Sequence, residues 1–320
     1  MKDFYKGCAL VTAIGSFSAH AAIGSMRRMG YRVVGCDIYP GEWVVNSRDV
    51  DAFYQVPLAT DSEKYIEALR EIVEREKVDL VLPSTDYEVD ALRELRDCIP
   101  AIICMSSNET LEVCRNKRLS YLALASQLNE VNLISTQLVA DADLFTITYP
   151  AVCKPVDGRS SSGLFTALDA NDVVNNINKR DFSRYCIQPK LSGRIVAVDV
   201  VRQGDAVVSV ARRELLRTPN GAGTTVEVFQ DAALDDLCFQ IANILDVVGC
   251  VNFEFIEHED GNYRFLECNP RLSGGVAFSI MSGYDMVKNH VRCFTGERVE
   301  ALEHVVSQII ARRYTEYAMN

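Results

Sequence analysis

VNFEFIEHEDGNYRFLECNPR, residues 251–271, is the stretch on which the fold turns. Two runs of alternating apolar and polar residues flank Asp260-Gly261, a pair that favours a two-residue hairpin turn. Closing the hairpin there sets Glu254 opposite Glu267 and Asn252 opposite Asn269. Alternation then puts Glu254, Glu267 and Asn269 on one face, with Phe253, Phe255, Leu266 and Cys268 on the other. Carboxylates directly opposed across a strand pair repel and weaken the sheet. A divalent cation removes that penalty. Oxygen ligands of this kind suit Mg2+, whose octahedron is completed by substrate phosphates and waters. On the pattern alone one alternative stays open: an acid pair facing solvent above an apolar face, with no metal.

Upstream, a buried strand PAVCKP (150–155) delivers Lys154 into the loop Gly158-Arg159-Ser160-Ser161-Ser162-Gly163. A lysine leaving a strand into a Gly/Ser loop offers a point charge and several backbone N–H groups to phosphate. The spacing is not that of a Walker A loop, and a plain flexible hairpin loop is the alternative. Earlier still, Ser106 and Glu109 predict the cap of one long helix carrying Arg115, Lys117 and Arg118. Further strands are expected at 184–189, 194–201 and 206–215, the last two joined through Gln203-Gly204-Asp205. A helix near 231–247 then leads to the decisive hairpin and a closing helical region.

The first hundred residues have another texture. Short unbroken apolar runs at 7–14, 31–37, 52–57, 78–83 and 101–105 alternate with helical segments. That order predicts an open parallel sheet covered on both faces. Thr60 and Glu63 read as a capping box for one of its helices. The first turn, Ala13-Ile-Gly15-Ser-Phe-Ser18, is a degraded glycine fingerprint, with Asp37 placed as a ribose-binding acid would be. An NAD(P) site is therefore a minor alternative, and Ser84, Thr85, Asp86 and Glu88 are candidates to line a substrate crevice.

Composition bounds the rest. The 320 residues are 48% hydrophobic and 24% charged, with 33 basic against 44 acidic side chains and a net charge of −11. Such a length predicts two or three domains at roughly 100–200 residues each. The acidic balance argues against a nucleic-acid partner, because backbone binding needs a basic field. No apolar run approaches the ~18–20 residues of a membrane span, and the N-terminus lacks the pattern of a signal peptide. The 11 cysteines form no C-x-x-C unit and sit mostly in apolar strands, as expected of reduced thiols in a cytoplasmic protein.

The ordered set Lys117, Lys154 with its Gly/Ser loop, Gln188-Pro189-Lys190-Leu191, Glu254 and Glu267-Cys-Asn269-Pro-Arg271 resembles the ATP-grasp superfamily. Through E-x-N-P-R it is most similar to proteins like the carbamoyl phosphate synthase large subunit. The resemblance implies an α/β fold with an N-terminal open parallel-sheet, Rossmann-like domain (1–105). An ATP-grasp module of two α+β subdomains would follow (106–190 with a linker helix, and 191–320). It implies ATP and Mg2+ (Mn2+ as substitute), with Lys117, Lys154 and the 158–163 loop on the phosphates and residues 188–191 as the adenine hinge. Glu254, Glu267 and Asn269 would hold the metal, while Arg271, Lys154 and Arg213 would serve catalysis. Pro189, standing where relatives carry an acid, and Ile195 depart from the family hinge.

The implied reaction joins a small-molecule carboxylate, activated as an acyl phosphate, to an amine. Phosphorylation of carbamate or bicarbonate is the enzymatic alternative, and a nucleotide sensor without turnover is another. A homodimer is expected from the same resemblance.

Overall fold

The computed structural model describes residues 5–159, 161–219 and 221–319. The first lobe runs β1 (Gly7–Val11), α1 (Ala19–Arg28), β2 (Tyr31–Asp37), β3 (Ala52–Gln55), α2 (Ser62–Glu76), β4 (Leu80–Leu82), α3 (Asp86–Leu95) and β5 (Ile102–Ile103). Its five strands are parallel in the order β3-β2-β1-β4-β5. Chain order reverses beside β1, so the crevice beyond β1 and β4 is the topological switch point, where open α/β sheets bind ligands. The apolar runs are strands because both sheet faces are covered: Leu10, Val34 and Val81 pack under α2 and α3, while Ala9, Val11 and Val33 pack under α1.

The Thr60/Glu63 box does not form; Asp61 precedes α2 and makes no side-chain cap bond. The box occurs instead at Thr85 and Glu88, where each side chain bonds the other's backbone at the head of α3.

α4 (Asn108–Arg115) and α5 (Lys117–Ala125) follow. The expected single helix is broken at Asn116, whose extended backbone and side-chain bonds to the Arg118 and Leu119 amides start a new helix at Lys117. Ser107 rather than Ser106 caps α4. A four-stranded sheet, order β6-β9-β7-β8, is built from β6 (Gln137–Leu138), β7 (Ala151–Pro155), β8 (Phe165–Ala167) and β9 (Tyr185–Pro189), with α6 (Ala170–Asn176) alongside. Cys114, Leu124, Leu128 and Leu133 pack against the last sheet rather than this one, so the linker helices attach to the larger unit.

That last sheet comprises β10 (Arg194–Gln203), β11 (Ala206–Arg217), β12 (Gly223–Phe229), β13 (Gly249–Glu257), β14 (Tyr263–Asn269) and β15 (Gln308–Ala311), ordered β14-β13-β10-β11-β12-β15. α7 (Ala232–Ile244) covers one face, and α8 (Val276–Met281) and α9 (Met286–Thr295) lie towards the first lobe. One continuous core joins Ala22 and Met26 of α1 to Val287 and Val291 of α9.

The decisive hairpin pairs Glu254 with Glu267 and Asn252 with Asn269, by a route different from the one expected. The turn is not the two-residue one. His258 N–H donates to the Asn262 carbonyl at 3.0 Å around Glu259, Asp260 and Gly261, with Gly261 at φ +80° supplying the left-handed residue. Between Glu254 and Phe255 the register shifts and leaves Leu266 unopposed, a bulge that restores the expected pairs.

Candidate functional site

A cleft of about 500 Å³ lies between the six-stranded sheet and the switch point of the first lobe. Sheet residues Asn252, Glu254, Glu267, Asn269, Arg212 and Glu214 form one wall. Gly15–Ser18 after β1 and Ser84–Tyr87 after β4 form the other, and Arg159 and Ser161 close a side.

The floor is the carboxylate face. Asn269 Nδ2 donates to Glu254 Oε1 at 3.4 Å, and Arg217 stands 3.6 Å from Glu254 Oε2. Burial and then the facing Glu267 push the Glu254 carboxyl well up from its ordinary range. Burial acts in the same sense on Glu267, but Lys117 and Lys154 outweigh it and hold that carboxyl low. Among the described residues no group of three or more His, Cys, Asp or Glu is placed to hold a metal. The candidate set is thus two carboxylates and an amide, a donor number that fits Mg2+ when phosphates and waters supply the rest.

Lys117 connects this floor to a second space. Its Nζ donates to the Gly158 carbonyl at 2.8 Å and lies 3.3 Å from Glu267 Oε2. It also lines a small, mostly apolar slot with Tyr121, Leu133, Ile134, Phe265 and the bulged Leu266. Lys154 is buried in β7; burial lowers its pKa, Glu267 opposes that and neighbouring Lys117 reinforces it.

The remaining expected residues are only partly gathered. Of the four hinge positions, Gln188 alone lines the slot, its Nε2 donating to Thr136 Oγ1 at 2.7 Å. Pro189 pairs with Ala151 at the strand end, Lys190 is exposed, and Leu191 follows outside the sheet. In the Gly/Ser loop, Arg159 and Ser161 face the cleft, while Ser162 and Gly163 are exposed. Gly158 sits tightly over Pro155, and Ser160 lies outside the described residues. Arg271 lines the cleft and donates to Asp86 Oδ2 at 3.0 Å.

Arg213, expected to serve catalysis, stands away from the cleft. Its guanidinium lies 3.7 Å from the Phe229 ring centroid and binds Glu257, on the opposite face of the sheet from the cleft. The cleft arginine of β11 is Arg212, which pairs with Ala197 in the row that contains Glu254. Carrying the pairing outward from the 203–206 turn reveals it. Arg212 is fully buried, bonding Asp199 Oδ2 at 2.9 Å and Ser273 Oγ at 3.1 Å. Asp37, weighed above as a ribose acid, instead accepts the backbone N–H groups of Gly15 and Tyr39 at 2.8 and 3.1 Å.

Comparison with known proteins bears on the fold. Residues 181–317 match a family described as ATP-grasp in the biosynthetic pathway with Ter operon, and residues 25–104 match the PylC-like, N-terminal domain. Biotin carboxylase from Campylobacter jejuni, in complex with β,γ-ATP, superposes with a TM-score of 0.76 at 17% identity, over 95% of this chain and 75% of that one. The biotin carboxylase domain dimer of Hydrogenobacter thermophilus 2-oxoglutarate carboxylase, with MgADP and bicarbonate, gives 0.78 at 15%, covering 95% and 74%. L-amino acid ligase from Bacillus licheniformis gives 0.69 at 16%, covering 91% and 75%. Residues 181–317 are thus of the ATP-grasp type and the first lobe is of the PylC-like type, while the solved structures share the fold. The likeness to carbamoyl phosphate synthase is only a loose relation.

Proposed function

We propose that the protein is an ATP- and Mg2+-dependent ligase that activates a carboxylate as its acyl phosphate and joins it to an amine. The observation that carries this reading is Lys117, which lines the apolar slot and reaches the carboxylate floor with one side chain. A flat base in the slot would place a polyphosphate past Lys117 and Lys154 towards Glu254, Glu267 and Asn269. Mg2+, held there, would neutralise phosphate charge.

The acceptor's carboxylate oxygen attacks the γ-phosphorus, the bond to the β-phosphate oxygen breaks, and ADP leaves. The amine then attacks the acyl carbon, inorganic phosphate departs with its bonding pair, and the proton lost from the nitrogen leaves with the phosphate. Lys154, Lys117 and Arg271 supply fixed positive charge where negative charge is transferred. Arg159 and Ser161 line one side of the cleft, where a closing loop would protect an acyl phosphate from water.

The test is to incubate the protein with MgATP, pooled carboxylates and pooled amines, and to measure ADP and phosphate. Release that requires both pools is expected. Release with bicarbonate alone would favour the carboxylating alternative, in line with the bicarbonate bound by one structural neighbour. No release, with thermal stabilisation by NADH but not by ATP, would overturn the reading.

A further inference from the structure

Helix α3 belongs to the first lobe, yet its acids reach across the cleft to arginines of the other two sheets. Asp86 and Asp90, four residues apart, share one face of α3. Arg115, at the end of α4, is buried between them. It grips Asp90 through Nε and Nη2 at 2.9 and 3.2 Å, stands 3.5 Å from Asp86 Oδ1, and donates to the Asp157 carbonyl at 3.3 Å. Asp86 offers its other oxygen outward, whereas Asp90 Oδ2 is shared between Arg115 and a second arginine. Asp86 Oδ2 accepts from Arg271 at 3.0 Å, and Asp90 Oδ2 accepts from Arg159 Nη2 at 3.0 Å. The Arg159 guanidinium also lies 3.9 Å from the Tyr87 ring centroid, and its Nη1 has no partner among the described residues.

We propose that Asp86 and Asp90 are positioning residues that aim Arg271 and Arg159 at the terminal phosphate, with Arg115 fastening both; this rests on the assignment of the cleft to MgATP. The charge pattern supports the role. Three arginines share two aspartates, so the group stays positive, and both outward-facing cations line the cleft. The alternative partners for a released Arg271 are the floor acids, for it is near enough to Glu254 to favour that group's charged form. An arginine collapsed onto the floor would compete with the metal and abandon the phosphate. Stability alone is a poor reason for the Asp90–Arg159 pair, since ion pairs left partly open to solvent contribute little to folding. A stacked, hydrogen-bonded guanidinium is restricted in direction, which is what transfer of a phosphoryl group demands.

The experiment compares Kd values for MgADP and for the magnesium complex of the non-hydrolysable ATP analogue AMP-PNP, measured by calorimetric titration of the full chain. The ratio of the two reports the terminal phosphate. Asp86→Asn and Asp90→Asn should each lower this ratio about tenfold, the scale of one charge-assisted hydrogen bond. In an Arg271→Ala background Asp86→Asn should have no further effect, and Asp90→Asn should have none in Arg159→Ala. A purely structural role would lower the ratio equally in both backgrounds, and that result overturns the proposal. So does an unchanged ratio in the aspartate variants when the arginine variants lower it. A wild-type chain that binds neither nucleotide removes the ligase reading and the proposal with it. Should Asp86→Asn fail to fold, the Asp90–Arg159 pair, nearer the surface, decides the matter.

Discussion

Glu254 and Glu267 stand directly opposite each other across β13 and β14, yet their carboxyls are driven in opposite directions. Burial and mutual repulsion raise one, while two lysines hold the other ionised against the same burial. Charge removal should therefore be asymmetric. Glu254→Gln should stabilise the metal-free protein by about 0.5–1 kcal/mol, the scale of a like-charged cross-strand pair. Glu267→Gln strands Lys117 and buried Lys154, and should cost roughly 2–3 kcal/mol. Both variants should lose Mg2+-dependent ADP formation. Urea unfolding without metal gives the ranking, and the reverse order would disprove the account of the floor.

Arg212 and Arg213 are neighbours in sequence and should behave as unrelated residues. Arg212→Ala leaves Asp199, wholly buried, without its cation. Breaking such a pair costs about 3–5 kcal/mol. Arg213→Ala removes a pair with Glu257 and a ring contact on the far face, for about 1 kcal/mol. Its affinity for MgATP should stay at the wild-type value. An Arg213 variant that folds normally but loses nucleotide binding would refute the assignment of faces.

Lys154 is buried, and burial lowers its pKa while the charge of Glu267 favours its ionised form. Lys154→Met preserves much of its apolar stem and removes the charge. Nucleotide affinity should fall at least tenfold, a loss of about 1.4 kcal/mol or more, with the far-ultraviolet circular dichroism spectrum unchanged. Equal Kd values for the variant and the wild type would exclude contact between Lys154 and phosphate.

Much of this site was legible in the sequence because alternation and hairpin geometry are strict. The parallel lobe follows from unbroken apolar runs, and the Glu254–Glu267 pairing from the turn. Even there, two offsets cancelled: the loop is one residue longer than expected, and the bulge at Leu266 restores the register. Leu266 then lines the slot, a placement that regular alternation would not produce. Arg213 lies one residue out of parity with the cleft row, and only the strand pairing, not its nearness to the hairpin, shows that. The Arg115–Asp86–Asp90 group was illegible for a different reason. Its members come from separate elements, and only the docking of α3 against α4 brings them together.

His290 gives the pH prediction. It lies on α9 between the sheets, where Nδ1 accepts the Cys250 N–H at 2.8 Å. The proton is therefore on Nε2, which donates to the Cys104 carbonyl at 3.1 Å, just beyond β5 of the first lobe. Protonating Nδ1 would break the first bond and bury a charge, and burial pushes this imidazole down to about 4. An unfolded-state histidine titrates near ~6.5. Between those values the unfolded chain binds the extra proton, so stability is complete above about pH 6.5 and falls as pH drops towards 4. The full loss from this group is about 3 kcal/mol, at ~1.4 kcal/mol per pH unit. Urea unfolding of wild type and His290→Gln at pH 7.5 and pH 4.5 separates it from the carboxylates, which both proteins share. The variant should start less stable and lose less on acidification. Parallel losses in the two proteins would mean that His290 is not the neutral tie between the lobes.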